Sequence, residues 1–232
     1  MRVIISGLLF FSIACSPQMT LAPQPNLTQS SNMQVLVAKD LPKRFVMAVR
    51  SMRPVLVETC LKLREDRNCD FVISVNLDPM SPPNAFQTVD EQGRPLLLFY
   101  ITLIDDMKNA DEIAFVIGHE GAHHILGHLE HQKKSAAGGA TLFEVLAAAL
   151  GGSAQSVGAA SDIGAAVGAR NYSKNYELEA DRLGAQMTLS GGFDPVIGAA
   201  YFTRIPDPGN KFLGTHPPNR DRIFAVRTAV GR

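Results

Sequence analysis

Between Asn109 and Gly139 the apolar residues Ile113, Ala114, Val116, Ile117, Ala122, Ile125, Leu126 and Leu129 recur at helical spacing. Asn109 followed three residues later by Glu112 predicts an N-cap and capping box, and Asp111 and Glu112 put acid in the first turn, where the helix dipole favours it. Lys133 and Lys134 ahead of Gly138-Gly139 predict the C-terminal end, so a single helix buried through its middle is expected. Gly121 in its interior costs roughly 1 kcal/mol relative to alanine, which has a purpose only if something approaches the helix closely there.

Upstream, Phe45, Val46, Val49, Met52, Val55, Val57 and Leu61 predict a helix interrupted at Pro54. Phe71 to Val75 reads as a short strand, and Asn84–Val89 and Leu96–Ile101 flank a turn at Asp90–Pro95 as a hairpin would. Such a strand beside the central helix is either an ordinary core strand or an edge that accepts an extended peptide as one more strand. Leu103 to Lys108 leads into the central helix. Downstream, residues 136–169 are dominated by Gly, Ala and Ser, with Leu142, Phe143, Val145, Leu146, Leu150, Val157, Ile163 and Val167 spaced through them. Glu144, Gln155 and Asp162 argue against a membrane span, which leaves two closely packed small-residue helices or a flap. A helical pattern restarts over Tyr172–Asp181. These elements make an α+β domain, mostly helical, with a small sheet beside the central helix.

The chain opens differently. One positive charge, the apolar run Val3–Ala14 and then Cys15 form a secretory h-region too short to span a bilayer. Ser12-Ile13-Ala14-Cys15 looks like a lipoprotein processing site with serine where leucine is usual, so residues 1–14 are read as a signal peptide and Cys15 as the lipidated residue. Residues 15–33 form an uncharged Pro-, Gln-, Ser- and Asn-rich tether, and 34–232 the domain. With Cys15 used for lipid, Cys60 and Cys69 remain as a candidate disulfide in an oxidising compartment. Removal of the leader leaves 21 Lys and Arg against 22 Asp and Glu, a balance that provides no attraction for nucleic acid.

The candidate chemistry lies in the central helix. His119-Glu120-Gly121-Ala122-His123 is an H-E-x-x-H sequence, and two histidines four apart share one helix face, so both imidazoles can reach a single metal ion. Glu120 is placed to take a proton from water attacking a carbonyl. Catalytic zinc usually has three protein ligands and an open position. Glu177 and Asp181, four apart in the later helix, share a face, while Glu179 points away from both. This geometry favours one carboxylate as ligand and another in support; Glu177 is assigned to zinc, and Asp181 to a hydrogen bond on the far nitrogen of a histidine ligand. His124, His128 and His131 are either a second metal site or ordinary solvated histidines, and are read as the latter. Glu130 lies too far along the axis from His123 to coordinate the same ion.

Together, His119-Glu120-x-x-His123 with the later His128, the block Glu177-x-Glu179-Ala180-Asp181, and Thr215-His216-Pro217 resemble a family of zinc metallopeptidases. That family includes the type 1 CAAX prenyl proteases and HtpX, and the resemblance falls in its periplasmic lipoprotein branch of BepA and LoiP. Asn84-Ala85-Phe86 looks like the family's strand beside the site. Lys174 stands where arginine is common and Gly121 where a larger apolar residue is usual, and neither change removes a ligand. The resemblance implies a zincin-like (gluzincin) fold, one zinc ion per chain held by His119, His123 and Glu177, and Glu120 as the catalytic base. It also implies protein or peptide substrates, an outer-membrane lipid anchor, a quality-control role in the envelope and contact with envelope assembly machinery. By analogy His216 faces the active site, as a transition-state donor or as a residue that blocks the open position; a structural loop histidine is the alternative. The rival reading for the whole chain is a zinc-dependent chaperone-like or binding module with a blocked site, and a third is metal storage by the histidine cluster.

Overall fold

The structure, a computed structural model, describes residues 41–171, 173–209 and 216–232, without the side chains of 168–173. The signal peptide, Cys15, the tether and Thr215 lie outside the described residues. Among the described residues eight α-helices and three strands follow in the order α1 (Lys43–Leu63), β1 (Val72–Asn76), β2 (Ala85–Val89), β3 (Pro95–Tyr100), α2 (Ile101–Asp106), α3 (Ala110–Leu126), α4 (His128–Ala149), α5 (Ala154–Asn171), α6 (Ser173–Ser190), α7 (Pro195–Ala199) and α8 (Asn219–Ala229), with a 3-10 turn at Ala200–Thr203. This is an α+β domain, mostly helical, with one small sheet. Among the described residues no helix is long and apolar enough to cross a membrane.

Helix α1 runs through Pro54 instead of breaking there. Proline removes one backbone donor, but Pro54 is exposed, so water can take the carbonyl it frees. Phe45, Ala48, Met52, Leu56 and Cys60 bury one continuous face on both sides of it. Cys60 and Cys69 are joined by a disulfide, which ties the end of α1 to the entrance of β1.

The sheet has the order β1-β3-β2. β3 is its centre, buried from Pro95 to Phe99, pairing in parallel with β1 and antiparallel with β2 in the register Ala85↔Phe99 to Val89↔Pro95. The Tyr100 N–H donates to the Asn84 carbonyl at 2.9 Å. By the alternation of an antiparallel ladder, the backbone groups of Ala85, Gln87 and Val89 therefore point to the outer edge.

The expected single helix over the metal motif is two helices. α3 ends at Gly127, which sits in the left-handed region at φ 76° and donates its N–H to the carbonyls of His123 and His124. α4 starts at the next residue and passes through Gly138-Gly139 without stopping. The Arg67 guanidinium lies where a Gly127 Cβ would be, and it pairs with Glu130 at 2.8 Å. At the start of α3, Asn109 caps the Glu112 N–H as expected, but the Glu112 carboxylate reaches the Lys108 N–H and forms a two-bond pair with Arg204 at 2.7 Å each.

Of the two readings of residues 136–169, the structure has the helical pair: α4 and α5 form a hairpin in which Gly164 abuts the Gly139 carbonyl and Phe143. Leu142, Val145, Leu146, Leu150 and Ile163 are exposed on it.

Candidate metal centre

The site forms where α3 crosses α6, and two glycines decide how near the helices come. A Cβ on Gly118 would lie 2.7 Å from the Gly184 carbonyl, and one on Gly184 would lie 2.8 Å from the His119 nitrogen. Only glycine at both positions allows this backbone contact. Gly121 has the same role one turn on, where Leu56 of α1 occupies the space of a side chain. Its cost in helix propensity thus has the purpose the sequence left open.

The contact brings His119 and His123 of α3 against Glu177 of α6. Their Nε2 atoms are 3.1 Å apart, and the Glu177 carboxylate lies 3.4 Å from His123 Nε2 and 3.6 Å from His119 Nε2. Ligands about 2.05 Å from a tetrahedral zinc are separated by about 3.3 Å, so these three donors fit such an ion. They form a possible metal-binding group of the described residues. Burial, then the neighbouring His119, hold the His123 pKa down at about 3, so its imidazole keeps a free lone pair at neutral pH. Glu177 is held far below the usual carboxylate range: burial opposes this, and the hydrogen bond from His216 and the charges of His119 and Arg222 overcome it.

Behind these donors lies a charged layer. Asp181, with no exposed surface, is 3.0 Å from His119 Nδ1. Arg222 of α8 grips the same carboxylate through Nε at 2.8 Å and Nη2 at 2.7 Å, and its guanidinium stacks on Phe202 at 3.9 Å. Nothing in the local sequence around Arg222 marks it for the site. Its place in the site depends on a fold contact with a residue 41 positions earlier.

Two of the histidines read as solvated are buried. His124 is 6% exposed, bonds the Asn68 carbonyl at 2.8 Å and meets Phe71 edge-on, which fastens α3 to the segment on either side of Cys69. His128 is 4% exposed and lies against His123 and Glu179. Glu179 does point away from Glu177 and Asp181, but toward His128. Only His131 of the three is exposed, and Glu130 pairs with Arg67.

Glu120 lines a cavity of about 600 Å³ with His119, Glu177, His216 and the apolar wall of Phe115, Val116, Phe202 and Ile205. Burial, opposed chiefly by His119, raises its pKa, and the backbone of Gln87 on the outer edge of β2 weakly opposes the rise. His216 is half-exposed at the cavity mouth, its Nδ1 3.0 Å from Glu177 Oε2.

Two helices that present a pair of imidazoles and a carboxylate beside a second, cavity-facing carboxylate define the kind of centre found in metallopeptidases. Residues 60–230 match Peptidase family M48, and the chain belongs to that family. It is also 27% identical over 202 residues to a putative beta-barrel assembly-enhancing protease of Vibrio cholerae serotype O1, an alignment covering 79% of this chain and 42% of the relative. The chain thus spans less than half the length of that protein.

Proposed function

We propose that this chain is a zinc-dependent endopeptidase of the bacterial envelope that hydrolyses peptide bonds of misfolded or unassembled proteins. The observation that carries the reading is the meeting of His119, His123 and Glu177 at separations that suit tetrahedral zinc, with Glu120 on the cavity side. The edge strand beside the motif helix is in keeping with a zincin-like (gluzincin) arrangement.

Zinc held there supplies Lewis-acid polarisation of the scissile carbonyl and acidifies the water that attacks it. The protein supplies the rest. Glu120, a stronger base for its raised pKa, takes the proton of the attacking water and returns it to the leaving amine. Asp181, itself fixed by Arg222, keeps the His119 ring oriented. An extended substrate pairs with the outward backbone groups of Ala85 and Val89, and a large apolar side chain next to the scissile bond enters the cavity against Phe115 and Phe202. His216 at the mouth shifts the N–H it gives Glu177 onto the oxyanion as that develops.

The leader, Cys15 and the tether of residues 15–33 support export and anchoring to the outer membrane by lipid, and the name of the Vibrio cholerae relative supports a role near envelope assembly. Acyl groups on Cys15 are checked by mass spectrometry of the mature N-terminus.

Glu120→Gln tests the mechanism: casein cleavage falls by at least about 100-fold while one zinc per chain is retained. Cleavage at the wild-type rate refutes it. The His216–Glu177 contact also favours a second reading, in which His216 covers the open position and the chain is a chaperone-like or binding module until it is displaced. His216→Ala separates the two, lowering kcat if His216 is a donor and raising it if His216 is a block.

A further inference from the structure

One cluster beside the centre, built around the buried His128, has no part in the reaction. His128 stacks on Tyr176 with ring centroids 4.5 Å apart and planes at 16°. Both of its ring nitrogens are engaged: Nδ1 is 3.0 Å from Nδ1 of His123, and Nε2 is 3.2 Å from Oε2 of Glu179. This placement depends on the chain break at Gly127. In one continuous helix, positions five apart point about 140° away from each other. The left-handed residue between α3 and α4 turns His128 back over His123.

The protons can be assigned by accounting. A neutral imidazole has one N–H, so a His123 that offers its Nε2 lone pair to a metal carries its proton on Nδ1. The acceptor 3.0 Å away is His128 Nδ1, which must then be unprotonated. The His128 proton is left on Nε2, where it donates to the Glu179 carboxylate. The reverse assignment, with His128 donating to His123, moves the His123 proton onto Nε2 and removes a donor from the centre.

We propose that Glu179 and His128 form a positioning relay for His123, in which the carboxylate orients His128 and His128 fixes the tautomer and ring plane that aim His123 Nε2 at the metal. The two histidines of the motif are thus supported unequally. His119 has a fully buried carboxylate bonded directly to it, whereas His123 has an imidazole backed by a carboxylate that is half in solvent. The relay rests on the reading of His119, His123 and Glu177 as the metal site.

The test measures zinc affinity of the whole chain by competition with a chromophoric chelator, together with histidine tautomers by ¹⁵N NMR of the zinc-loaded wild type. His128→Phe weakens zinc binding by about 10- to 100-fold, as loss of an outer partner of a ligand does. His128→Asn, whose side-chain oxygen can accept from His123 Nδ1–H, recovers most of that loss. Glu179→Ala, at a site half in water where folding is not at risk, weakens zinc about threefold, on the scale of one exposed charged contact, with the apo thermal midpoint unchanged. NMR finds the proton of His128 on Nε2 and that of His123 on Nδ1. A His128 proton on Nδ1, or wild-type zinc affinity in both Glu179→Ala and His128→Phe, overturns the relay alone. A wild-type chain that takes up no zinc overturns the metal site and the relay with it. If His128→Phe does not fold, Glu179→Ala and the wild-type spectra still decide.

Discussion

Arg222→Met is the substitution whose cost is best defined by the structure. It deletes both charged hydrogen bonds to Asp181, at 2.7 and 2.8 Å, and leaves a carboxylate with no exposed surface whose remaining bond comes from His119. Removing one partner of a buried ion pair costs about 3–5 kcal/mol, most of it the penalty of the stranded charge. The surviving His119 contact puts the expectation near the lower end, about 3 kcal/mol. With a urea dependence of about 2 kcal/mol per molar, the unfolding midpoint of the chelated protein falls by about 1.5 M. The double variant Arg222→Met with Asp181→Leu removes the stranded Asp181 charge and recovers most of the loss, since Glu177, 3.5 Å from Arg222, keeps its bond from His216, so a double-mutant cycle shows strong coupling. There is also a pH signature. Burial would raise the Asp181 pKa, but Arg222 and His119 hold it below the usual range. Its contribution is then complete above about pH 4, the unfolded value, and disappears as pH falls through the folded one. Arg222→Met therefore unfolds with less dependence on acid than wild type. A single-variant cost below about 1 kcal/mol, or a double variant whose loss equals the sum of the singles, would show that the pair does not brace His119 as described.

Three further outcomes follow from other contacts. Gly184→Ala places a methyl group 2.8 Å from the His119 nitrogen, where only backbone can yield, so α6 must move. A net loss of about 1–3 kcal/mol and weaker zinc binding are expected despite better helix propensity; a more stable variant with unchanged zinc affinity would contradict the close-contact account. Replacing Cys60 and Cys69 with alanine opens the loop between them and costs about 2–3 kcal/mol on loop-closure grounds, read as a urea midpoint that matches the reduced wild type. On acidification, Glu177 and Asp181, both held below the ordinary carboxylate range, lose their stabilisation as pH drops under about 4.5, so the chelated protein's urea midpoint falls most steeply there. A midpoint level from pH 7 down to pH 3 would remove that assignment.

What could be read from the chain alone was what local spacing encodes. The i, i+4 histidines and the carboxylate between them, the four-residue interval from Glu177 to Asp181, the N-cap at Asn109 and the alternation around Asp90–Pro95 all operate within a few residues. What could not be read depends on distant partners. Whether Gly127 continues a helix or ends it is settled by its left-handed conformation with Arg67 occupying the space beside it, and Arg67 lies 60 positions earlier. His124 and His128 look like solvated residues until Asn68 and Glu179 come to meet them. Pro54 resembles a helix breaker until one sees that it faces water while Met52 and Leu56 bury the other side.

These long-range contacts share a cause. Short hydrogen bonds and donor separations near 3.4 Å between α3 and α6 require backbones closer than ordinary side chains permit. The chain meets that requirement with Gly118 and Gly184 facing each other at the level of His119. A motif of ligand residues specifies which atoms could bind a metal, but the distance between them is set by residues with no side chain at all. The same division appears at Gly127, where loss of a side chain permits the turn that carries His128 back to His123. Engineering at this centre should therefore treat the three glycines as part of it. Substituting a glycine displaces a ligand or its support, whereas substituting exposed residues such as His131 leaves both where they are.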